Sequence, residues 1–65
     1  MNTHRTVEKA LDILTAFIPH NQEMGTVEIS EKLGIHKSTG SRLLHVLHRK
    51  GFLQQNPKTK KFQLG

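Results

Sequence analysis

The chain has 65 residues, a mass of 7.4 kDa, 34% apolar residues and no cysteine. One small domain of this size fills a single core without also enclosing a deep substrate pocket, and it can form neither disulfides nor thiolate-bound zinc. Ten Lys/Arg against five Asp/Glu give a net charge of +5 and a pI near 10.1. Residues 1–31 hold all five acids (Glu8, Asp12, Glu23, Glu28, Glu31) and two bases, whereas residues 32–65 hold eight bases and no acid. A basic half this one-sided repels itself and is relieved by a polyanionic partner.

No apolar run approaches a membrane span of ~20 residues, and the leading MNTHRTVEKA carries no apolar signal core. The expectation is a soluble, cytoplasmic domain. From Thr6 to Ile18, apolar residues at Val7, Ala10, Leu11, Leu14, Phe17 and Ile18 follow i, i+3, i+4, i+7 spacing, which predicts an amphipathic helix ended by Pro19. His20–Gly25 is a polar connection, and Met24–Val27 suits a short extended piece. Thr26 is the expected N-cap of a second helix, with Glu28 in its first turn and Gly34 just past its end.

A third helix is expected from His36 or Lys37 to Lys50, stopped by Gly51. Its inner stripe is Gly40, Leu43, Leu44 and Leu47, and its outer side carries Ser38, Ser41, Arg42, His45 and Arg49. Gly40 inside a helix costs roughly 1 kcal/mol relative to Ala, which a close helix crossing would offset. Beyond Gly51, Phe52–Gln55 and Phe62–Leu64 read as two short strands around an Asn56-Pro57 turn rich in lysine. Phe52 and Phe62 are both expected to face inward.

Helix, tight glycine turn, helix is the helix-turn-helix unit. Ile29, Leu33, Ile35, Leu43 and Leu47 are the expected wedge between its helices, with Ser30 and Gly40 allowing a close crossing. A helix fits the major groove of DNA, and residues near its N-terminus reach base edges. The helix start with Lys37, Ser38 and Thr39 suits phosphate oxygens. Arg42 suits a bidentate contact with guanine, and the hairpin lysines suit the backbone or minor groove.

These residues resemble the N-terminal winged helix-turn-helix domain of the IclR family of bacterial transcriptional regulators. The resemblance spans nearly the whole chain. It rests on Val7–Leu14 (VEKALDIL), on Leu33–Thr39 (LGIHKST) followed by Arg42-Leu43-Leu44, on Gly51-Phe52-Leu53, and on Phe62–Gly65. It implies three helices and a two- or three-stranded wing, with the helix-turn-helix at about residues 27–50 and the wing at about 52–64. It implies a repressor or activator that binds double-stranded operator DNA as a dimer or tetramer. By the same resemblance the DNA contacts are Lys37, Ser38, Thr39, Ser41, Arg42 and His45 on the recognition helix and Lys58, Lys60 and Lys61 on the wing. Three positions depart from the family: His36 where Pro or Ser is common, Gly40 where Ala or Val is usual, and Lys60 where a turn glycine is frequent. Family members continue into a linker helix and an effector-binding domain, so residues 1–65 are expected to be an isolated DNA-binding domain with no effector site of its own.

Other chemistries are weaker. His45 and His48 sit i, i+3 but have no nearby Cys or carboxylate to complete a metal site. Ser38, Ser41 and His45 lack a third group to orient the imidazole as a base, so neither catalysis nor a cofactor is expected. A single-strand or RNA binder needs exposed aromatics. A winged-helix protein-interaction module remains an alternative, with the first helix as its dimer face. A membrane surface is disfavoured by the Ser and His residues of the third helix.

Overall fold

A computed structural model describes residues 3–65, in which helix α1 (Thr3–Phe17), helix α2 (Thr26–Leu33), helix α3 (Lys37–Arg49), strand β1 (Leu53–Gln55) and strand β2 (Phe62–Leu64) follow in chain order. Helix α1 begins a turn before the expected Thr6. Its buried face is Ile13 and Phe17, with Leu14 and Ala16 packed partly against the same core, while Val7, Leu11 and Ile18 are exposed. At ~100° per residue, Val7, Leu11, Leu14 and Ile18 form a stripe beside Ile13 and Phe17. Apolar spacing alone does not say which of two adjacent stripes meets the core, and the expectation chose the wider set and omitted Ile13.

The N-cap of α2 is Gly25; Thr26 is its first helical residue, one position inside the expected cap. The Gly25 N–H donates to Glu28 Oε1 at 2.7 Å. This is one arm of a capping box, and glycine has no side chain to supply the other. Gly34 ends the helix at φ 67°, its N–H donating to the Ser30 carbonyl. This left-handed turn costs glycine little and most other residues more. Three residues then separate α2 from α3.

The two helices cross at Ser30 and Gly40. A Cβ on Gly40 would stand 2.5 Å from Ser30 Oγ, so with the Ser30 hydroxyl in that position the crossing favours glycine. Ser30 is itself buried, and its hydroxyl has no hydrogen-bond partner among the described residues. Ile29, Leu44 and Leu47 fill the space below, together with Met24, Leu53 and Phe62. Leu44, not Leu43, is the fully buried leucine at the centre of the wedge; Leu43, Leu33 and Ile35 lie half-buried at its rim.

Strands β1 and β2 pair antiparallel, with Leu53 opposite Leu64 and Gln55 opposite Phe62. Met24 adds a one-residue third strand. It exchanges two backbone hydrogen bonds with Phe62, at 2.9 and 2.8 Å. That pairing sets the phase of the hairpin: Leu53 and Phe62 are buried, and Phe52 is 56% exposed. The expectation that Phe52 faces inward is corrected here, because Phe52 precedes the paired strand and the next residue takes the inward position.

Candidate nucleic-acid interface

Burial of Gly40, Leu44 and Leu47 turns the opposite side of α3 to solvent. Ser38, Arg42, His45 and Arg49 are exposed along it, spaced i, i+4, i+7, i+11, and Lys37 is exposed in the first turn. Thr39 and Ser41 are half-buried at the edges of this stripe. His36 is the N-cap in an extended conformation, with no side-chain hydrogen bond to the helix start. The first N–H groups of α3 therefore have no side-chain cap and point outward with the positive end of the helix dipole.

His45 and His48 line the boundary between α3 and the hairpin. Their rings meet Phe62 edge-on, with centroids 5.5 Å and 6.1 Å away. His45 Nδ1 lies 2.8 Å from the Ser41 carbonyl oxygen, and His48 Nδ1 lies 2.9 Å from that of Leu53. Helix α3 thus leans on the hairpin through two imidazoles.

The wing tip is tied to the connection between α1 and α2. Glu23 Oε2 accepts from Asn56 Nδ2 at 2.8 Å, and Glu23 Oε1 accepts from Thr59 Oγ1 at 3.2 Å. Asn56 Oδ1 accepts the backbone N–H of Lys58 at 2.8 Å. At the base, Asn21 Oδ1 accepts the Leu64 N–H and the Asn21 carbonyl accepts from Gln63 Nε2, both at 2.8 Å. Lys58 and Lys60 are exposed and make no ion pair among the described residues, whereas Lys61 pairs with Glu28 Oε2 at 3.2 Å. The Gly25 N–H and then the Lys61 ammonium hold the Glu28 carboxyl below the usual carboxylate range.

The sequence patterns did not point to Glu23, Glu28 and Asn21 as wing anchors. Their partners lie 33 to 43 residues away, beyond any local spacing rule. Only the Asn56-Pro57 turn hinted that Asn56 would be structural.

The profile of the IclR helix-turn-helix domain matches residues 6–57. This chain belongs to the IclR family. The HTH-type transcriptional regulator XynR of Escherichia coli K12 is 39% identical over 61 residues, which are 94% of this chain and 24% of XynR. The crystal structure of an IclR transcriptional regulator from Alicyclobacillus acidocaldarius matches with a TM-score of 0.88 at 31% identity, over 94% of this chain and 25% of that one. An IclR-family regulator from Brucella abortus matches with a TM-score of 0.87 at 37% identity, over 92% of this chain and 23% of that one. The chain spans about a quarter of the length of these relatives. Its three helices and hairpin are an IclR winged helix-turn-helix, a DNA-binding fold of transcription regulators. Among the described residues no helix is long and apolar enough to cross a membrane. Three residues singled out in the sequence have visible structural consequences. Gly40 touches Ser30, Lys60 holds a left-handed φ of 66°, and His36 starts α3 without a side-chain cap.

Proposed function

We propose that this IclR domain binds double-stranded DNA sequence-specifically, with α3 in the major groove and the wing on the adjacent backbone or minor groove, to repress or activate transcription in the cytoplasm. The observation that carries this reading is the exposed stripe of α3, held outward by the buried opposite side of the same helix. Arg42 reads a base edge, with Ser38 and His45 beside it. Lys37, Thr39, Ser41 and the uncapped helix start hold phosphate oxygens, as do Lys58 and Lys60 on the wing. Lys61 reaches phosphate only by leaving Glu28. A second copy of the full-length protein supplies the second half-site, and the exposed Val7, Leu11 and Ile18 of α1 are the apolar face on which the two copies meet. The work of this surface is binding rather than catalysis: His45 Nδ1 is spent on a backbone carbonyl, not on a serine hydroxyl.

Exposed Phe52 favours one second reading, a single-strand binder that stacks bases on it. Fluorescence anisotropy with random duplex, single strand and hairpin RNA at several salt concentrations separates the two. Duplex preference with a steep negative salt slope is expected; a preference for single strands that Phe52→Ala abolishes would overturn the duplex reading. On a duplex site selected from a random pool, Arg42→Ala is expected to cost roughly 1–3 kcal/mol and to relax one base position. An unchanged ratio of specific to scrambled binding would remove Arg42 as a base reader.

A further inference from the structure

His45 is the one side chain on the outer stripe of α3 whose hydrogen-bonding polarity the fold itself determines. A carbonyl oxygen only accepts, so the 2.8 Å contact with Ser41 requires the proton on His45 Nδ1. The Phe62 ring, edge-on at 5.5 Å, holds the imidazole plane from the wing side. In the neutral ring the remaining nitrogen, Nε2, then carries a lone pair and no proton. Lys37, Arg42 and Arg49 on the same helix are donors only, and the Ser38 hydroxyl rotates to suit either partner. His45 Nε2 is therefore the fixed acceptor of the stripe.

Building on the duplex-binding reading above, we infer that His45 is a specificity-determining residue that accepts a hydrogen bond from an exocyclic amine in the major groove. That amine is adenine N6 or cytosine N4, the two base groups that donate there. Guanine and thymine present acceptors at the corresponding edge and are rejected, because two acceptors face each other with no proton between them. Three helical residues advance about 4.5 Å, so Arg42 and His45 reach neighbouring steps of one half-site. The site is then read as a guanine, which takes the donors of Arg42, beside a base that offers an amine to His45. The imidazole is pre-set by Ser41 and Phe62, so binding freezes little of its motion.

The test uses the 65-residue chain and a duplex selected from a random pool. Each base pair of the selected site is varied, and at the position assigned to His45 adenine is replaced by purine, or cytosine by pyrimidin-2-one, each of which lacks only the amine. Wild type is expected to lose roughly tenfold in affinity on losing the amine. His45→Gln, whose amide reaches as far as Nε2, keeps the preference. His45→Asn, whose amide reaches only to the Nδ1 position, loses it while still showing a cooperative thermal melt. Long-range ¹⁵N–¹H spectra of the free chain are expected to show the His45 proton on Nδ1. A proton on Nε2, or an Asn variant with the wild-type base preference, overturns the assignment of His45 and leaves the duplex reading standing. No preference for duplex of any sequence overturns both.

Discussion

Helix α3 and the wing both belong to the proposed DNA-facing surface but are held by different forces. Helix α3 is fixed by burial: Leu44 and Leu47 lie in the core and Gly40 sits against Ser30. Its position survives anything short of unfolding, and the side chains it projects are free to be chosen for their chemistry. The wing contributes Leu53 and Phe62 to the same core, but its tip is placed by polar contacts, from Glu23 to Asn56 and Thr59 and from Glu28 to Lys61. Such contacts are individually weak at a surface. The two elements should therefore fail differently: the helix together with the whole domain, the wing tip alone. Both sets of anchoring carboxylates come from the acidic half of the chain, so the separation of charge along the sequence also serves to fasten basic wing to acidic body.

The largest effect expected is on the helix. Leu44→Ala leaves a cavity at the centre of the core and should cost ~2–5 kcal/mol, enough to abolish cooperative thermal melting in a domain this small. Leu43→Ala, at the rim, should cost less; equal losses would dissolve the distinction between the two leucines. Next comes the crossing. Gly40→Ala drives a methyl into Ser30 Oγ and should destabilise by roughly 1–3 kcal/mol despite its better helix propensity. Ser30→Ala removes the clashing atom, which is also a buried hydroxyl without a partner, so the double variant should melt at or above wild type. A double variant no more stable than Gly40→Ala would place the strain elsewhere.

The wing should respond more gently. Glu23→Ala should leave stability within about 1 kcal/mol while raising mobility in residues 56–61 by ¹⁵N relaxation. It should also weaken all duplexes a few-fold without altering their order. A change in base preference would instead tie Glu23 to the reading helix. The smallest effect is that of pH on Glu28. Its folded pKa lies below its unfolded one, so its stabilisation is present above the ordinary carboxylate range and is lost as pH falls through the depressed value. Acid melts of wild type and Glu28→Gln should therefore converge at low pH; a gap that widens on acidification would reverse the sign.

The elements themselves were legible because their signals are local. Pro19, Gly34 and Gly51 mark where helices stop, and the i, i+3, i+4, i+7 spacing of Gly40, Leu43, Leu44 and Leu47 shows which side of α3 is buried. Ser30 and Gly40 were readable as a close crossing because only small residues permit one. What escaped depended on tertiary phase. Phe52 and Leu53 are adjacent and apolar, and only the pairing of Phe62 with Met24 decides that Leu53 turns in. Ile13 and the stripe of Val7, Leu11 and Ile18 differ by an angle that the positions of α2 and α3 select. The same holds on the proposed DNA-facing surface. The lysines of the wing could be named from sequence, but the commitment of Lys61 to Glu28, and of His45 Nδ1 to its own helix, exist only once the chain is folded.

The central claim is that one face, the outer stripe of α3 with the wing tip beside it, meets DNA. A titration of the ¹⁵N-labelled chain with duplex, followed residue by residue in ¹H–¹⁵N spectra, tests it most directly. The account predicts the largest shifts at Lys37, Ser38, Arg42, His45, Lys58 and Lys60, with the amides of α1 at Val7 and Leu11 unmoved at low occupancy. Shifts confined to α1, or centred on Phe52 with α3 silent, would contradict it.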